Sequence, residues 1–373
     1  MEESQARHAL DADSVDCQLW ITAWIERGER RVNSYAGAST LLFGLPPTIV
    51  LVAYPILRWQ YMTLGYLFSF AAVFLVLLVA PYLIWYYEAN LLPAFRRDVT
   101  AIVASSDRDR AQRVVDRYSR VIDRYWWMTA VLASIPIPIL MARGGPFIRE
   151  HGLFGAADPL FWAVFAVLLW IGVIVGIGFL LVAVTILTIR NIASLELRID
   201  PMHPDGLGGM SIVGTYAIRT TGLFSIGSLL LPLQLQYAAT VGPLAGSLIY
   251  VMGGVYAVFI GLSFLYPTIT ISQRANAIRQ RILENIRDQY EELKRAAGEP
   301  RAGADLVDTD PVTEQKLTRL RDEYQTYQQV RLYPLRVSVI ARLIGSILLP
   351  ILSMTIEFSL QPEILNQLLS AVV

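Results

Sequence analysis

The chain has 373 residues, 54% of them apolar and only 17% charged, with 31 basic and 31 acidic side chains and one cysteine. Soluble domains carry roughly a quarter charged residues, so a soluble globular protein is excluded. The zero net charge points neither toward nor away from a charged partner, and Cys17 alone forms no intrachain disulfide or thiolate metal cluster.

Residues 1–13 are polar and acidic-leaning, without the basic segment and short apolar core of a cleaved signal peptide. The first membrane helix is therefore expected to act as the insertion signal. Residues 14–27 read as a short amphipathic helix. Ser14 stands at the N-cap, and Cys17, Trp20, Ile21, Trp24 and Ile25 recur on one face. With Arg27, Arg30 and Arg31 following, this helix is expected either in the inner membrane interface or packed on the protein's own cytoplasmic layer.

Seven apolar runs follow, at roughly 39–57, 61–87, 125–142, 160–189, 220–241, 244–271 and 343–360. Each holds about 18 residues or more, enough to cross a hydrocarbon core of about 30 Å. The segments of about ten alternating residues that mark a membrane β-barrel do not appear, and in lipid the backbone must satisfy its own hydrogen bonds, so the runs are helices. The gaps between them divide the basic residues sharply. Alternate compartments hold 4, 8, 3 and 13 lysines and arginines, the others 1, 2, 0 and 0, so 28 of the 31 fall on one side. Basic residues are retained on the cytoplasmic side during insertion. The N-terminus is thus expected inside a plasma (inner) membrane and the tail 361–373 outside.

Trp85, Tyr86 and Tyr87 mark the inner interface after span two, and Tyr125, Trp126 and Trp127 mark it before span three. Between them an amphipathic helix over 106–124 is expected to run unbroken into the third span. Span four is longer than a bilayer requires, and its helix is expected either to project inward to about Arg198 or to tilt. Gly172 and Gly176 within it, and Gly242 with Gly246 near span six, have the small-xxx-small spacing that lets helices approach closely. Prolines punctuate every span except the fourth, and each opens the helical ladder. Span six continues as a helix through Ile278, Ile282, Ile286, Tyr290 and Leu293. A breaker-rich linker at 298–311 precedes a second stripe of Leu317, Leu320, Tyr324, Tyr327 and Arg331. The pair reads as an antiparallel helical hairpin, with coiled-coil or bundle-edge packing, over 272–342.

The most unusual string is His203-Pro204-Asp205-Gly206-Leu207-Gly208-Gly209, in the loop 190–219. Asp-Gly and Pro favour a rigid turn. The same glycines could instead form a nest of N–H groups for an anion, completed by Arg198 and Arg219. A metal set of His203, Asp205 and Asp200 and an acid/base pair of His203 with Asp205 are weaker alternatives, and no cofactor is expected. In the spans, Glu357 is the one acidic exception. It is expected to shape an outer vestibule with Gln234, Gln236, Tyr237 and Thr240 or to remain solvated at the interface. Thr240-Val241-Gly242 is followed by Pro243, which excludes a potassium filter. The phosphate-binding loop, HExxH, GxSxG and basic nucleic-acid patterns do not occur.

Placed between two long apolar helices, the loop string resembles an HPDxxGG pattern found in uncharacterised prokaryotic integral-membrane proteins. The resemblance covers about seven residues and their hydropathy context, and it implies a polytopic membrane fold but no activity. The HPD tripeptide of J-domain co-chaperones is similar in three letters only.

The expected fold is all-α, a polytopic membrane protein of seven transmembrane helices with a cytoplasmic helical hairpin. Its parts are a cytoplasmic segment 1–38, spans one to six over 39–271 with inner loops 88–124 and 190–219, the hairpin 272–342, span seven at 343–360 and the outer tail. Two functions suit it, ahead of a third, an intramembrane or interfacial enzyme that would use His203 and Asp205 as an acid/base or metal pair. One is a channel or passive conduit, oligomeric and gated from the cytoplasm. The other is a non-conducting sensor or scaffold that binds an anionic ligand, a lipid or a protein partner through its cytoplasmic face. Membrane lipid, further copies of the chain and a cytoplasmic protein docked on 272–342 are the expected partners; nucleic acid is not.

Overall fold

The computed structural model describes residues 19–143, 145–201, 203, 208–240, 243–296 and 311–329. Among them there is no β-strand, and the chain is an all-α membrane protein. The first helix, α1 (Trp20–Val32), precedes α2 (Tyr35–Leu57) and α3 (Leu64–Ile102). Then come α4 (Arg108–Ser134), α5 (Pro136–Arg143), the short α6 (Gly145–Glu150) and α7 (Pro159–Ile192). Next are α8 (Ser211–Ser225), a 3₁₀ segment (Ile226–Leu230) and α9 (Leu231–Thr240). The last two are α10 (Pro243–Ala296) and α11 (Pro311–Gln329). Five helical stretches are long and apolar enough to cross a membrane: α2, α3, Ser105–Arg143, α7 and the part of α10 from Val251 to Ala296. The fifth expected span is broken into α8, the 3₁₀ segment and α9. The seventh, with Glu357 and the tail beyond it, lies outside the described residues, as do Ser14, Cys17 and most of the linker 298–311.

Proline chemistry accounts for the irregular turns. Proline has no N–H and its ring collides with the carbonyl four residues earlier. For Pro46 and Pro47 those carbonyls belong to Leu42 and Phe43, inside the π turn Thr40–Gly44 of α2. For Pro93 it is Ala89, inside the π turn Tyr87–Leu91 of α3. For Pro232 it is Ser228, inside the 3₁₀ segment. In all three the helix widens or tightens where the ring would strike it. Pro55, Pro81 and Pro267 stay within regular helix.

The most buried span is α7, and α4 lies along it. Gly172 and Gly176 make that approach: a Cβ at Gly176 would fall 2.6 Å from Ala130 Cα, and one at Gly172 would fall 3.1 Å from Ser134 Cα. The small-xxx-small spacing thus marks a real backbone contact. The expected continuity of the 106–124 helix into its span also holds, down to the turn at Ile135 that Pro136 imposes. Large apolar side chains left exposed on α2 (Ile49, Val52, Ile56) and around the end of α4 (Val131, Leu132, Ile135) form a surface suited to lipid tails.

Helix α7 ends at Ile192 rather than reaching Arg198. The reason is legible after the fact. Leu195, Leu197 and Ile199 are buried while Glu196, Arg198 and Asp200 are exposed, a period of two that belongs to extended chain. That segment pairs with the end of α3: Ala104 N–H donates to Glu196 O (2.8 Å) and Arg198 N–H to Ile102 O (2.8 Å).

Helix α1 packs on the protein itself. Ile21, Thr22 and Ile25 are buried, and the Trp20 ring sits among Phe43, Trp126 and Trp170 at centroid distances of 5.6 to 5.8 Å. Trp24, at 51% exposure, falls off the buried stripe. Farther on, α10 runs as one helix from the bundle to Ala296, and α11 lies against it.

Candidate functional site

Two ends of the bundle carry polar chemistry: an arginine-rich end, formed by the start of α4, the end of α7 and the described residues between Ala193 and Met210, and the opposite end formed by residues 58–63 and 145–158.

At the arginine-rich end the structure brings together His203, Asp200, Gly208 and Gly209. His203 N–H donates to Asp200 O (3.1 Å), and Asp200 N–H donates to Gly208 O (3.3 Å). Both glycines adopt left-handed backbone, φ 64° and 89°. A Cβ on Gly209 would lie 3.3 Å from Ile102 Cγ2 and 3.8 Å from the His203 ring. Glycine is required there for both reasons, conformation and close approach. Arg198 is on the exposed side of the extended segment. Arg219 stands on the exposed face of α8, about two turns beyond its start. Asp205 and Gly206 lie outside the described residues, and among those described no three His, Cys, Asp or Glu side chains gather to hold a metal.

Just above this loop, the π turn of α3 presents two neighbouring residues to different environments. The Tyr87 hydroxyl is buried inside the bundle, 2.9 Å from Thr185 Oγ1 on α7 and 2.7 Å from the Tyr216 hydroxyl on α8. Tyr216 stacks on Phe95 at 4.0 Å. Glu88, the next residue, reaches α1. Its Oε1 accepts the Leu19 N–H (2.8 Å), and its second carboxylate oxygen accepts the Thr22 hydroxyl. Leu19 offers no capping oxygen of its own. Glu88 therefore supplies in space the acceptor oxygens that the start of α1 lacks locally.

Within the bundle, a cavity of about 520 Å³ opens between α3, α4, α7, α8, the 3₁₀ segment, α9 and α10. None of its lining residues is charged. Tyr87 and Thr220 border it nearer the arginine-rich end, and Gln234 borders it on α9. The Thr220 hydroxyl is buried without a hydrogen-bond partner. Of the expected pathway residues, Gln234 faces this cavity, whereas Gln236 is buried and donates to Ser69 Oγ (2.9 Å), tying α9 to α3.

At the opposite end, Arg58 pairs with Asp158 at 3.1 Å and lies 5.0 Å above the Phe154 ring. Asp158 also caps α7 by accepting the Leu160 N–H (3.0 Å) and takes the Phe154 N–H (3.3 Å). Burial opposes its ionisation, but these donors and the guanidinium outweigh it, and the carboxyl sits below its ordinary value. His151 is buried against Tyr66 and Phe147. Desolvation holds its imidazole below the ordinary histidine value despite the Phe147 carbonyl at 2.8 Å. Asp158→Ala removes both the cap and the ion pair. It is expected to cost about 2–3 kcal/mol, while Asp158→Asn, which keeps the cap, costs about half of that. Thermal denaturation of the two variants in detergent checks the order.

Sequence reasoning singled out the loop glycines and Gln234 but missed Tyr87, Glu88, Thr185 and Tyr216. A usable signal existed: Glu88 is the first charge after span two, five residues before a proline that distorts the helix around it. No protein-family model matches the chain, and neither the curated proteins nor the solved structures contain a significant match to it.

Proposed function

We propose that the chain is a non-conducting membrane sensor or scaffold of the plasma (inner) membrane, with its arginine-rich end in the cytoplasm. The observation that carries this reading is the adjacency of Tyr87 and Glu88. One is bonded into the bundle interior, the other holds α1 by its N-terminus, and both belong to a single π turn. A shift of α3 against α7 or α8 at Tyr87 is transmitted through that turn to α1. π turns of this kind recur at functional sites.

In this reading the chain has seven spans, and α10 with α11 forms an antiparallel cytoplasmic hairpin over 272–342 that docks a protein partner. Tyr327 supports its placement beside the loop: it packs on the core cluster and feels the charges of Asp200 and Arg198. The loop around His203, with Arg198 and Arg219, is then the surface that reads an anionic headgroup. Self-association into a homo-oligomer belongs to the same proposal.

A conduit is the second reading, favoured by the broken α8–α9 segment with Gln234 facing the central cavity. An ion-flux assay on full-length protein in liposomes separates the two. The sensor reading expects flux equal to empty liposomes. Flux above that level, lowered by Gln234→Leu or Glu357→Gln, would replace it with the conduit.

A further inference from the structure

The central cavity has three properties that together specify a ligand class. It is elongated: its lining on α3 runs from Val76 to Tyr87, eleven residue steps or roughly 16 Å along the helix axis. Its volume of about 520 Å³ is within the range of ligand pockets and roughly three times that of a ~150 Å³ apolar cavity that stays dry and binds benzene. Its wall is uncharged and mostly aliphatic or aromatic, with Val182, Ile174, Leu223, Phe224 and Met252 among the lining residues. Water gains few partners there. One buried donor nevertheless remains: Thr220, 2% exposed, lines the cavity and its hydroxyl has no partner. A buried hydroxyl without a partner is costly, and a rotation of the Thr220 side chain toward a ligand oxygen in the cavity removes the cost.

We infer that this cavity holds one fatty-acyl chain of a bilayer lipid, lying along the helices, with an ester oxygen accepting a hydrogen bond from Thr220. The membrane supplies the occupant. Acyl chains surround the bundle at this depth in great excess over any other apolar molecule, so mass action favours them. Moving a chain from bilayer to cavity gains no hydrophobic free energy. Its selection rests on dispersion contacts with walls that would otherwise face a void and on the one hydrogen bond. The 3₁₀ segment is suited to admit it. Ile226 and Gly227 line the cavity at the point where Pro232 interrupts the α8–α9 helix. With the sensor proposal, on which this last step alone rests, the bound chain is what Tyr87 reports to α1, since Tyr87 touches both the cavity and the hydroxyl cluster.

The test uses full-length protein in phosphatidylcholine liposomes doped with a phosphatidylcholine that carries a diazirine in one acyl chain. After illumination, labelled peptides are mapped by mass spectrometry. Val182 and Ile174 are the decisive reporters, because both line the cavity and are buried away from the surrounding lipid. The inference expects label on both. Ala80→Phe, which fills the cavity, is expected to lower it about tenfold, and the near-isosteric Thr220→Val about fivefold, the worth of one hydrogen bond. Absence of label on Val182 and Ile174 in wild type overturns the inference, as does label that survives Ala80→Phe in protein that elutes as a folded species. If Ala80→Phe does not fold, the wild-type map and Thr220→Val decide. Another segment of the chain filling the cavity would also leave the reporters unlabelled and overturn it. Labelling reads occupancy and amide exchange across α1 reads coupling, so this inference and the sensor reading fail separately.

Discussion

Replacing Gly176 by leucine is expected to abolish assembly of the bundle, and even Gly176→Ala is expected to destabilise it by about 3 kcal/mol or more, at the upper end of overpacking costs. The added Cβ meets main chain, Ala130 Cα at 2.6 Å, rather than the movable end of a side chain. Relief therefore requires α4 and α7 to separate along their whole contact. In lipid that contact is held by close packing and has little hydrophobic gain to fall back on. Gly178→Ala is the control. Its Cβ would lie 3.4 Å from the Phe224 ring, which can yield. Size-exclusion elution and thermal melting in detergent should show wild-type behaviour for Gly178→Ala and loss of the monodisperse species for Gly176→Leu.

Glu88→Ala is expected to loosen the hold of the bundle on α1. The carboxyl group accepts from both Leu19 N–H and the Thr22 hydroxyl, and each such hydrogen bond is worth about 1 kcal/mol net. Its loss leaves the first turn of α1 without these acceptors while Ile21 and Ile25 still favour docking. The result is a helix that opens often rather than one that leaves altogether. Amide exchange in Trp20–Val32 should accelerate by about tenfold or more. Glu88→Gln, which keeps one acceptor oxygen, should fall between the two. Unchanged exchange in Glu88→Ala would mean that apolar packing alone holds α1.

Both results concern contacts that the sequence discloses unequally. Gly172 and Gly176 were legible, because spacing of four on an apolar helix is a one-dimensional signal of a close helix contact. The uninterrupted exit of α10 from the bundle was legible for the same reason, as a stripe that keeps its period. The cap on α1 was not. Its acceptor lies 69 residues from its donor, and no local pattern carries such a pairing. The hydroxyl cluster of Tyr87, Thr185 and Tyr216 is hidden likewise: each residue alone reads as an interfacial aromatic or a helix-tolerated threonine. The extended segment 194–200 was in plain sight as Leu195-Glu196-Leu197-Arg198-Ile199-Asp200, and the helical reading carried past it because span four before it is so long. Prolines announced that helices would deform. Whether a given ring is absorbed by a π turn, a 3₁₀ turn or a smooth bend depends on the neighbours packed there, which the sequence does not spell out.

The coupling proposed between the bundle interior and the cytoplasmic layer is most directly tested by amide exchange across α1 in Tyr87→Phe, measured on full-length protein in liposomes. Tyr87 and α1 have no hydrogen bond between them, and the substitution removes only a hydroxyl bonded to Thr185 and Tyr216. If the π turn transmits strain, exchange in Trp20–Val32 rises severalfold while α7 keeps its protection. Wild-type exchange in α1, together with faster exchange confined to α3 and α8, would show that the hydroxyl cluster is a local fastening and would contradict the sensor account.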